Sequence, residues 1–254
     1  MLRDVGVRAQ RLRIPVAERM FPSVDLHDCE WVVHEPDSGA LRARRAVEAL
    51  VAGVCRRGGS LLGGHATPSG DGAVTIDGHG THHADLVIYA CGGWTKELFP
   101  ELLTGRTVRH DLFFFGAPRS WSTPTVPAWS EVGSGFDGVG DPDGQGVRLG
   151  GRFDDLTADL DDGPWVASGH QEAEARRVLG HRFPALADAP LIAGAACHST
   201  EIESVRHEPV AVIGGARVMR LPGWERVWIV GDGSASLFKH APSIACEVER
   251  LVTS

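Results

Sequence analysis

The chain has 254 residues, 43% of them hydrophobic, which suffices to bury a core in one large domain or two small ones. Its 25 Lys and Arg against 33 Asp and Glu give a formal charge of −8, which argues against a nucleic-acid-binding protein because such proteins normally carry a basic face. No apolar run approaches the ~18 residues that span a bilayer, and residues 1–10 lack a secretory signal, so we expect a cytoplasmic protein without membrane contact.

The first strong pattern is helical. Apolar residues recur at helical spacing over 41–57, with arginines between them, which predicts an amphipathic helix. A short strand is then predicted to begin at Leu61-Leu62, and a second one over 73–77. The glycines at 78 and 80 indicate a turn after it.

A strand, a glycine turn and a helix are predicted in succession after that turn. Residues 84–90 (ADLVIYA) form a short apolar run, typical of a strand that is buried on both faces of a parallel sheet. Gly92-Gly93 breaks the run, and residues 94–103 show a helical pattern. This order of elements brings backbone N–H groups close to a bound anion.

The rest of the chain changes character twice. Residues 107–167 contain aromatic clusters, turn residues and alternating runs, which predict an antiparallel sheet with long loops. A second amphipathic helix is predicted over 171–183. The chain then returns to an α/β pattern, with a strand at 227–230, a glycine-rich turn at 231–236 and a helix at 242–252.

Two segments resemble the D-amino-acid oxidase superfamily. Residues 84–98 (ADLVIYACGGWTKEL) are similar to its A-D-x-V-V-x-A-x-G-A-W segment. Residues 228–251 are similar to the G-D-G-S-G-H-G-F-K-H-A-P segment that closes the flavin site in its sarcosine-oxidase branch. Residues 197–204 (CHSTEIES) lie where that branch has C-x-Y-T followed by an acidic turn, and weaker similarities occur in the family's order at 18–24, 35–47 and 141–153.

This resemblance implies a mixed α/β (α+β) fold. It consists of an incomplete FAD-binding, Rossmann-like three-layer domain and an antiparallel-sheet substrate domain. The FAD-binding part is expected to comprise residues 40–105 and 206–254. The substrate part is expected to comprise residues 1–39 and 106–205.

The resemblance also implies FAD as the cofactor and assigns residues to it. The lysine that matches Lys239 lies near the substrate carboxylate in the family, and Arg148 aligns with a lysine that helps the reduced flavin react with oxygen. The cysteine that matches Cys197 is the covalent flavin attachment point in some members. The implied cofactor-binding residues are Gly92, Gly93, Trp94, Cys197, Gly231, Asp232, Gly233 and Ser234, of which the glycines permit close approach of the backbone.

The sequence departs from the family at several positions near the chemistry. No G-x-G-x-x-G fingerprint occurs in the 254 residues, so the main nucleotide-binding element is expected to be missing. Residues 235–237 are Ala-Ser-Leu where the branch has Gly-His-Gly, and Ser199 replaces a tyrosine. Arg148 keeps the charge of the family's lysine but not its compact geometry.

Two functional hypotheses follow from these observations. The chain is either an FAD-dependent oxidoreductase that accepts hydride from an amine C–H of a small amino acid or amine, or a degenerate relative that binds a small molecule or a partner without flavin. In the first case the missing element is expected to be encoded separately or to be lost through a wrong start codon. Because a sheet that lacks its central strand exposes a hydrophobic edge, self-association or a partner chain is expected.

Other chemistries are weaker in this sequence. A serine hydrolase would need G-x-S-x-G, but both glycines that should flank Ser234 are replaced. His79, His82 and His83 have no convincing carboxylate or cysteine partner, so a polar loop is expected there. The acidic run over 154–162 lacks EF-hand order, and the five scattered cysteines predict reduced thiols.

Overall fold

A computed structural model describes residues 6–140, 143, 146–151, 167–231 and 235–253. The helices are α1 (Ile14–Met20), α2 (Ala43–Arg56), α3 (Thr95–Leu98), α4 (Gly169–Arg182) and α5 (Ala241–Val252). The strands are β1 (Gln10–Leu12), β2 (Val32–His34), β3 (Ala66–Gly70), β4 (Ala73–Ile76), β5 (Gly80–His83), β6 (Val87–Tyr89), β7 (Leu103–Phe115), β8 (Trp129–Glu131), β9 (Phe136–Gly140), β10 (Val147–Gly151), β11 (Leu191–Val205), β12 (Ala211–Ile213), β13 (Ala216–Arg220) and β14 (Val227–Gly231).

The chain divides into two compact units. In its described residues, unit 1 comprises 6–41, 110–151 and 167–197, and unit 2 comprises 42–109, 198–231 and 235–253. The unit boundaries fall within β7 and β11, so each of these long strands contributes residues to both units. The assignment of one region to FAD and the other to substrate stays a prediction.

Unit 1 is organised by a five-stranded sheet in the order β11-β7-β10-β9-β8. Strand β10 pairs antiparallel with β7, and the register places Val147 opposite Phe115 and Leu149 opposite Phe113. These four side chains are at most 1% exposed and pack with Leu179 of α4, which lies in the same core. Alternation along the strands therefore gives the sheet one apolar face.

Helix α4 begins where its sequence provides a cap. The Ser168 side chain accepts a hydrogen bond from the backbone N–H of Gln171 at 3.3 Å, which satisfies one of the free donors of the first turn. The helix ends before Pro184, which cannot continue the hydrogen-bond pattern.

Unit 2 contains a four-stranded sheet in the order β12-β13-β14-β6. Strand β14 pairs antiparallel with β13 and in parallel with β6. Met219 and Ile229 are buried on one face, whereas Val218 and Trp228 pack with α5 on the other. The β13–β14 pair is thus covered on both sides, as the apolar run at its centre requires.

Most of the predicted elements are confirmed in type. They are α2, β4, β6, the antiparallel strands β7 to β10, α4, β14 and α5. The strand that was predicted to begin at Leu61-Leu62 is wrong: residues 59–65 form no strand, and these side chains are 71% and 41% exposed. Strand β3 begins only at Ala66, where the backbone pairs with that of β4.

Two predictions about local surroundings are also wrong. Strand β6 is not buried on both faces, because Leu86 and Ile88 are 38% and 41% exposed and β6 ends its sheet. His82 and His83 lie on β5, paired with Val74 and Ala73, and not in a loop.

Within the described ranges, none of the helices combines the length and apolarity that a bilayer crossing requires.

Candidate functional site

The parallel pair β6–β14 positions the glycine turn of unit 2. Its register sets Tyr89 opposite Ile229, so the two strands end at the same edge of the sheet. Strand β14 ends there at Gly231, and the turn at Gly92 leaves from this edge. A Cβ built on buried Gly231 would lie 3.8 Å from the Thr95 methyl group and 3.3 Å from Leu103, which shows how closely the turn approaches the strand.

The turn depends on Gly92. Its φ of +56° belongs to the left-handed region, which side chains rarely adopt, and nothing lies within 4 Å of a Cβ built there. Half-buried Gly93 and Trp94 continue the turn, and the Trp94 N–H donates to the Cys91 carbonyl at 3.2 Å. The backbone at Gly92 is therefore open to a ligand.

The helix after this turn is shorter than its sequence pattern. The pattern predicts a helix over 94–103, but α3 covers only Thr95–Leu98. Pro100 supplies the reason, because proline disfavours the helical conformation of the residue before it, and Phe99 has φ −133° and ψ 59°. So short a helix contributes little dipole, and anion binding by its N-terminus is not supported.

Two buried hydroxyl groups flank the glycine turn. Tyr89 and Thr95 are 3% and 1% exposed, and within the described residues neither hydroxyl oxygen has a hydrogen-bond partner. Burial raises the pKa of Tyr89, which keeps the phenol protonated. A buried polar group without a partner costs free energy, so these hydroxyls suit a site whose ligand supplies the missing partner.

Lys239 lies in a 3-10 turn over Ala235–His240, just before α5, and its side chain is exposed. The next residue, His240, packs against the β12–β13 hairpin, since a Cβ built on Gly214 would lie 2.5 Å from its ring. Asp232, Gly233 and Ser234, which were predicted to bind the cofactor, lie outside the described residues, as does the acidic run over 154–162.

In unit 1, Arg148 forms an ion pair with Asp137 of the neighbouring strand β9. Its side chain is 26% exposed and lies on the face of the sheet opposite to the Phe113 and Phe115 core. Gly150 makes room for the pair, because a Cβ there would lie 3.1 Å from the guanidinium and 3.6 Å from the carboxylate. The positive charge of Arg148 is therefore partly offset.

Cys197 is a half-buried thiol on β11. Burial raises its pKa, the positive charge of Arg148 opposes this, and the carboxylates of Asp111 and Asp137 add to it. Asp111 is fully buried and accepts a hydrogen bond from the Ser168 backbone N–H at 2.7 Å. These surroundings favour the protonated thiol, which is the less nucleophilic form.

The predicted site residues thus fall into two sets. Unit 2 holds Gly92, Gly93, Trp94, Gly231 and Lys239, and unit 1 holds Arg148 and Cys197. Sequence reasoning missed Thr95, Tyr89, Asp111 and Asp137. Asp137 carries a weak signal, since it lies one strand before Arg148 in an alternating pattern, whereas nothing in the sequence marks the unpartnered hydroxyls. Over the described ranges, no group of three His, Cys, Asp or Glu side chains is arranged to hold a metal ion.

Comparison with known proteins connects these features to a family. Residues 2–251 match the family model described as FAD dependent oxidoreductase. The N-methyl-L-tryptophan oxidase of Yersinia pestis (strain Pestoides F) is 32% identical over 114 residues, which cover 40% of this chain and 30% of that protein.

Solved structures share the fold. The glycine oxidase from Geobacillus kaustophilus is 18% identical, with a TM-score of 0.78 over 99% of this chain and 65% of its own. The iminodiacetate oxidase from Chelativorans sp. BNC1 is also 18% identical, with a TM-score of 0.71 over 95% of this chain and 63% of its own. These likenesses confirm the mixed α/β fold class, and the chain spans less than two thirds of either neighbour.

Proposed function

The chain belongs to the FAD dependent oxidoreductase family, and on this premise we propose that it is part of an enzyme that oxidises a small amino acid or amine. FAD, the cofactor of this family, would accept the hydride from the carbon next to the substrate nitrogen. The oxidised substrate is an imine, which water hydrolyses. We place this activity in the cytoplasm, as the sequence suggests.

The observation that carries the proposal is the edge where β6 and β14 end together. It combines an open backbone at Gly92, a close approach of the turn to Gly231 and a buried, unpartnered hydroxyl at Thr95. A flavin nucleotide needs backbone that can be approached closely and polar partners in a dry environment. The residues of unit 2 fit such a group at this edge.

The remaining roles follow from the family resemblance. Lys239 would bind the substrate carboxylate through its ammonium group, and its exposure leaves it accessible. Arg148 would hold positive charge near the reactive edge of the cofactor, partly neutralised by Asp137. Cys197 would tether the cofactor once its thiol is deprotonated.

The substrate class is supported by the names of the relatives. N-methyl-L-tryptophan, glycine and iminodiacetate are all amines that carry a carboxylate group. An exposed lysine at position 239 suits such a substrate, because its positive charge can bind the carboxylate group. We therefore propose a carboxylate-bearing amine as substrate.

The first experiment is an absorbance spectrum of the purified protein between 300 and 550 nm, before and after acid precipitation and after addition of FAD. Flavin bands support the proposal, and colour that stays in the acid pellet shows a covalent tether and implicates Cys197. A chain that stays colourless with added FAD would favour a relative without flavin. Leu237 favours that alternative, because the family has glycine there and the leucine is packed into a core.

Thr95→Val tests the site more directly. It removes one hydroxyl without changing shape, so it should stabilise the protein without cofactor, by about 1 kcal/mol, because an unpartnered buried group is lost. If the hydroxyl binds FAD, the same variant should weaken FAD binding by about five- to tenfold. Thr107→Val is the matched control, since its buried hydroxyl also has no partner among the described residues but lies on β7.

Lys239→Ala should raise the Michaelis constant by roughly 10- to 100-fold, which corresponds to the ~1.5–3 kcal/mol of a hydrogen bond to a charged group. Lys96→Ala is the control, as Lys96 is the other lysine of the chain and pairs with Glu97 at 3.4 Å. An unchanged Michaelis constant in the Lys239 variant would remove the assigned role.

A further inference from the structure

Two charged side chains lie on the face of the unit 1 sheet that is opposite to its apolar core. Arg148 is on β10, and Asp137 is on the neighbouring strand β9. The register sets Asp137 opposite Gly150, two residues from Arg148, so both side chains point to the same face. Their ion pair spans Gly150, where a Cβ would lie 3.1 Å from the guanidinium and 2.7 Å from the Leu112 side chain. The bare glycine thus leaves the guanidinium space beside β9.

Cys197 lies on the same face, on the other side of Arg148. A Cβ built on Gly194 would lie 3.8 Å from the Phe113 ring in the core, so alternation along β11 directs Cys197, three residues further, away from that core. Strand β7 separates β11 from β10. Because neighbouring strands are ~4.8 Å apart, β9 is one strand spacing from the strand of Arg148, whereas β11 is two spacings away, or about 10 Å.

The guanidinium of Arg148 has two directions available. Towards β11, strand β7 presents the half-buried, apolar side chains of Leu112 and Phe114 on this face, opposite Gly150 and Arg148 in the register. The arginine stem is long and flexible, so an unpaired guanidinium can extend over these side chains towards β11. Asp137 provides a carboxylate in the opposite direction, and the ion pair is formed there.

We infer that Asp137 is a positioning residue, which holds the Arg148 guanidinium on the β9 side of the sheet and thereby keeps its positive charge away from Cys197. The inference rests on the proposed function, in which Arg148 and Cys197 both act at the cofactor, and it adds the residue that sets the distance between them. Asp137 acts only through Arg148, so it has no catalytic role of its own.

The charges around Cys197 show what this positioning does. Burial raises the pKa of the Cys197 thiol, Arg148 opposes this, and the carboxylates of Asp111 and Asp137 add to it. Asp111 is held in place, because it is fully buried and accepts a hydrogen bond from the Ser168 backbone N–H at 2.7 Å. Asp137 is 47% exposed and pairs with a flexible side chain, so Arg148 is the charge whose position can change. As long as the pair is intact, the thiol stays in its protonated, less nucleophilic form.

Asp137→Asn tests the inference, because it removes the charge and keeps the size of the side chain. It should release Arg148 and lower the pKa of Cys197, with an acid dissociation constant of the thiol that is about three- to tenfold larger. The same substitution in an Arg148→Met background should change this constant less than about twofold, because the residue that Asp137 positions is absent. Asp137→Glu keeps the charge and should restore most of the wild-type value. Asp188→Asn is the matched control, since it removes an exposed carboxylate of the same unit.

The measurement is an NMR titration of the 254-residue chain with an isotope label at the cysteine Cβ, whose chemical shift changes when the thiol ionises. Cys197→Ser assigns the signal, and circular dichroism verifies that each variant is folded. Because the titration needs neither a thiol reagent nor flavin, the burial of the thiol and a failure of FAD binding do not affect the result.

Three results would overturn the inference. They are an unchanged dissociation constant in Asp137→Asn, an equal change with and without Arg148, and an equal change in Asp188→Asn. The second result would mean that Asp137 acts by its own charge and not by placing Arg148. A chain that binds no FAD but gives the expected titration refutes the proposed function alone, so the two proposals fail separately.

Discussion

Replacing Arg182 by methionine should strongly destabilise unit 1. Arg182 ends α4, its side chain is 7% exposed, and it pairs with Asp28 and with Glu131. It also donates to the Asp25 carbonyl at 3.1 Å, so one guanidinium joins α4, the loop at 25–28 and β8. Methionine keeps part of the apolar stem of arginine but none of the five hydrogen bonds.

The magnitude follows from the burial of the partners. Breaking a buried ion pair by removing one member costs roughly 3–5 kcal/mol, because a charge is left without compensation. Asp28 and Glu131 are 41% and 27% exposed, so water can partly solvate both carboxylates after the change. We therefore expect the lower end of this range, about 3 kcal/mol.

Arg177→Met is the matched control on the same helix. Arg177 forms a two-bond ion pair with Glu174, but its side chain is 65% exposed, and exposed pairs contribute about 0.2–1 kcal/mol. Urea unfolding followed by tryptophan fluorescence measures both variants. Two of the seven tryptophans report on this region, since the rings of Trp121 and Trp129 lie 6.0 and 5.6 Å from that of Phe183, the residue after Arg182.

With a urea dependence of about 2 kcal/mol per molar, the Arg182 variant should lose ~1.5 M in midpoint. A difference between the two variants below about 1 kcal/mol would refute the reasoning. The effect should also depend on pH, because hydrogen bonds from Arg182 lower the pKa of Asp28 and of Glu131. Lowered carboxyl pKa values stabilise the fold above the unfolded pKa near ~4, so the gap should be constant above about pH 5 and shrink as the pH falls below ~4.

Two further predictions concern packing and thiol reactivity. Gly140→Ala should lower the free energy of unfolding by roughly 1–3 kcal/mol, because the added Cβ would lie 2.2 and 2.9 Å from two backbone carbonyl oxygens. Gly133→Ala is the control and should be nearly neutral, because nothing lies within 4 Å of a Cβ built there. Urea midpoints compare the two variants, and equal midpoints contradict the prediction. Iodoacetamide at pH 7.5 should modify exposed Cys55 at least ~10-fold faster than Cys197, because burial raises the pKa of the Cys197 thiol. Mass spectrometry of the labelled peptides gives both rates, and similar rates would contradict it.

The sequence predicts the elements of this fold well where a periodic apolar pattern is long. The helix α5 and the long strand β7 have such patterns, and their apolar residues pack as the period requires. Short apolar runs are weaker evidence, since Leu61-Leu62 has the composition of a strand but no backbone partner at that position. Pairing is a property of two segments, and one segment alone cannot reveal it.

The candidate site was predictable only in part. Gly92 could be identified because a positive φ favours glycine, so the turn is visible in the sequence as a glycine. Thr95 could not, and Asp137 carries only a weak signal, because a buried hydroxyl without a partner among the described residues and a cross-strand ion pair both depend on how the elements pack and pair. The chemistry of Arg148 changes with this pairing, which the residue type alone does not disclose.

Strand β6 illustrates why burial is harder to predict than secondary structure. Its apolar run predicts a strand with neighbours on both sides, and the strand is present, but only one neighbour lies in the described chain. The same difference between pattern and burial occurs at α2. Its amphipathic pattern is as regular as that of α5, but its apolar residues Val47, Leu50 and Val54 are exposed. A sequence pattern indicates the environment that side chains require, whereas the structure shows the environment that the described residues provide. The two disagree at two places in one unit whose other strands are well packed, so a regular apolar pattern predicts an element without showing whether its apolar side is covered.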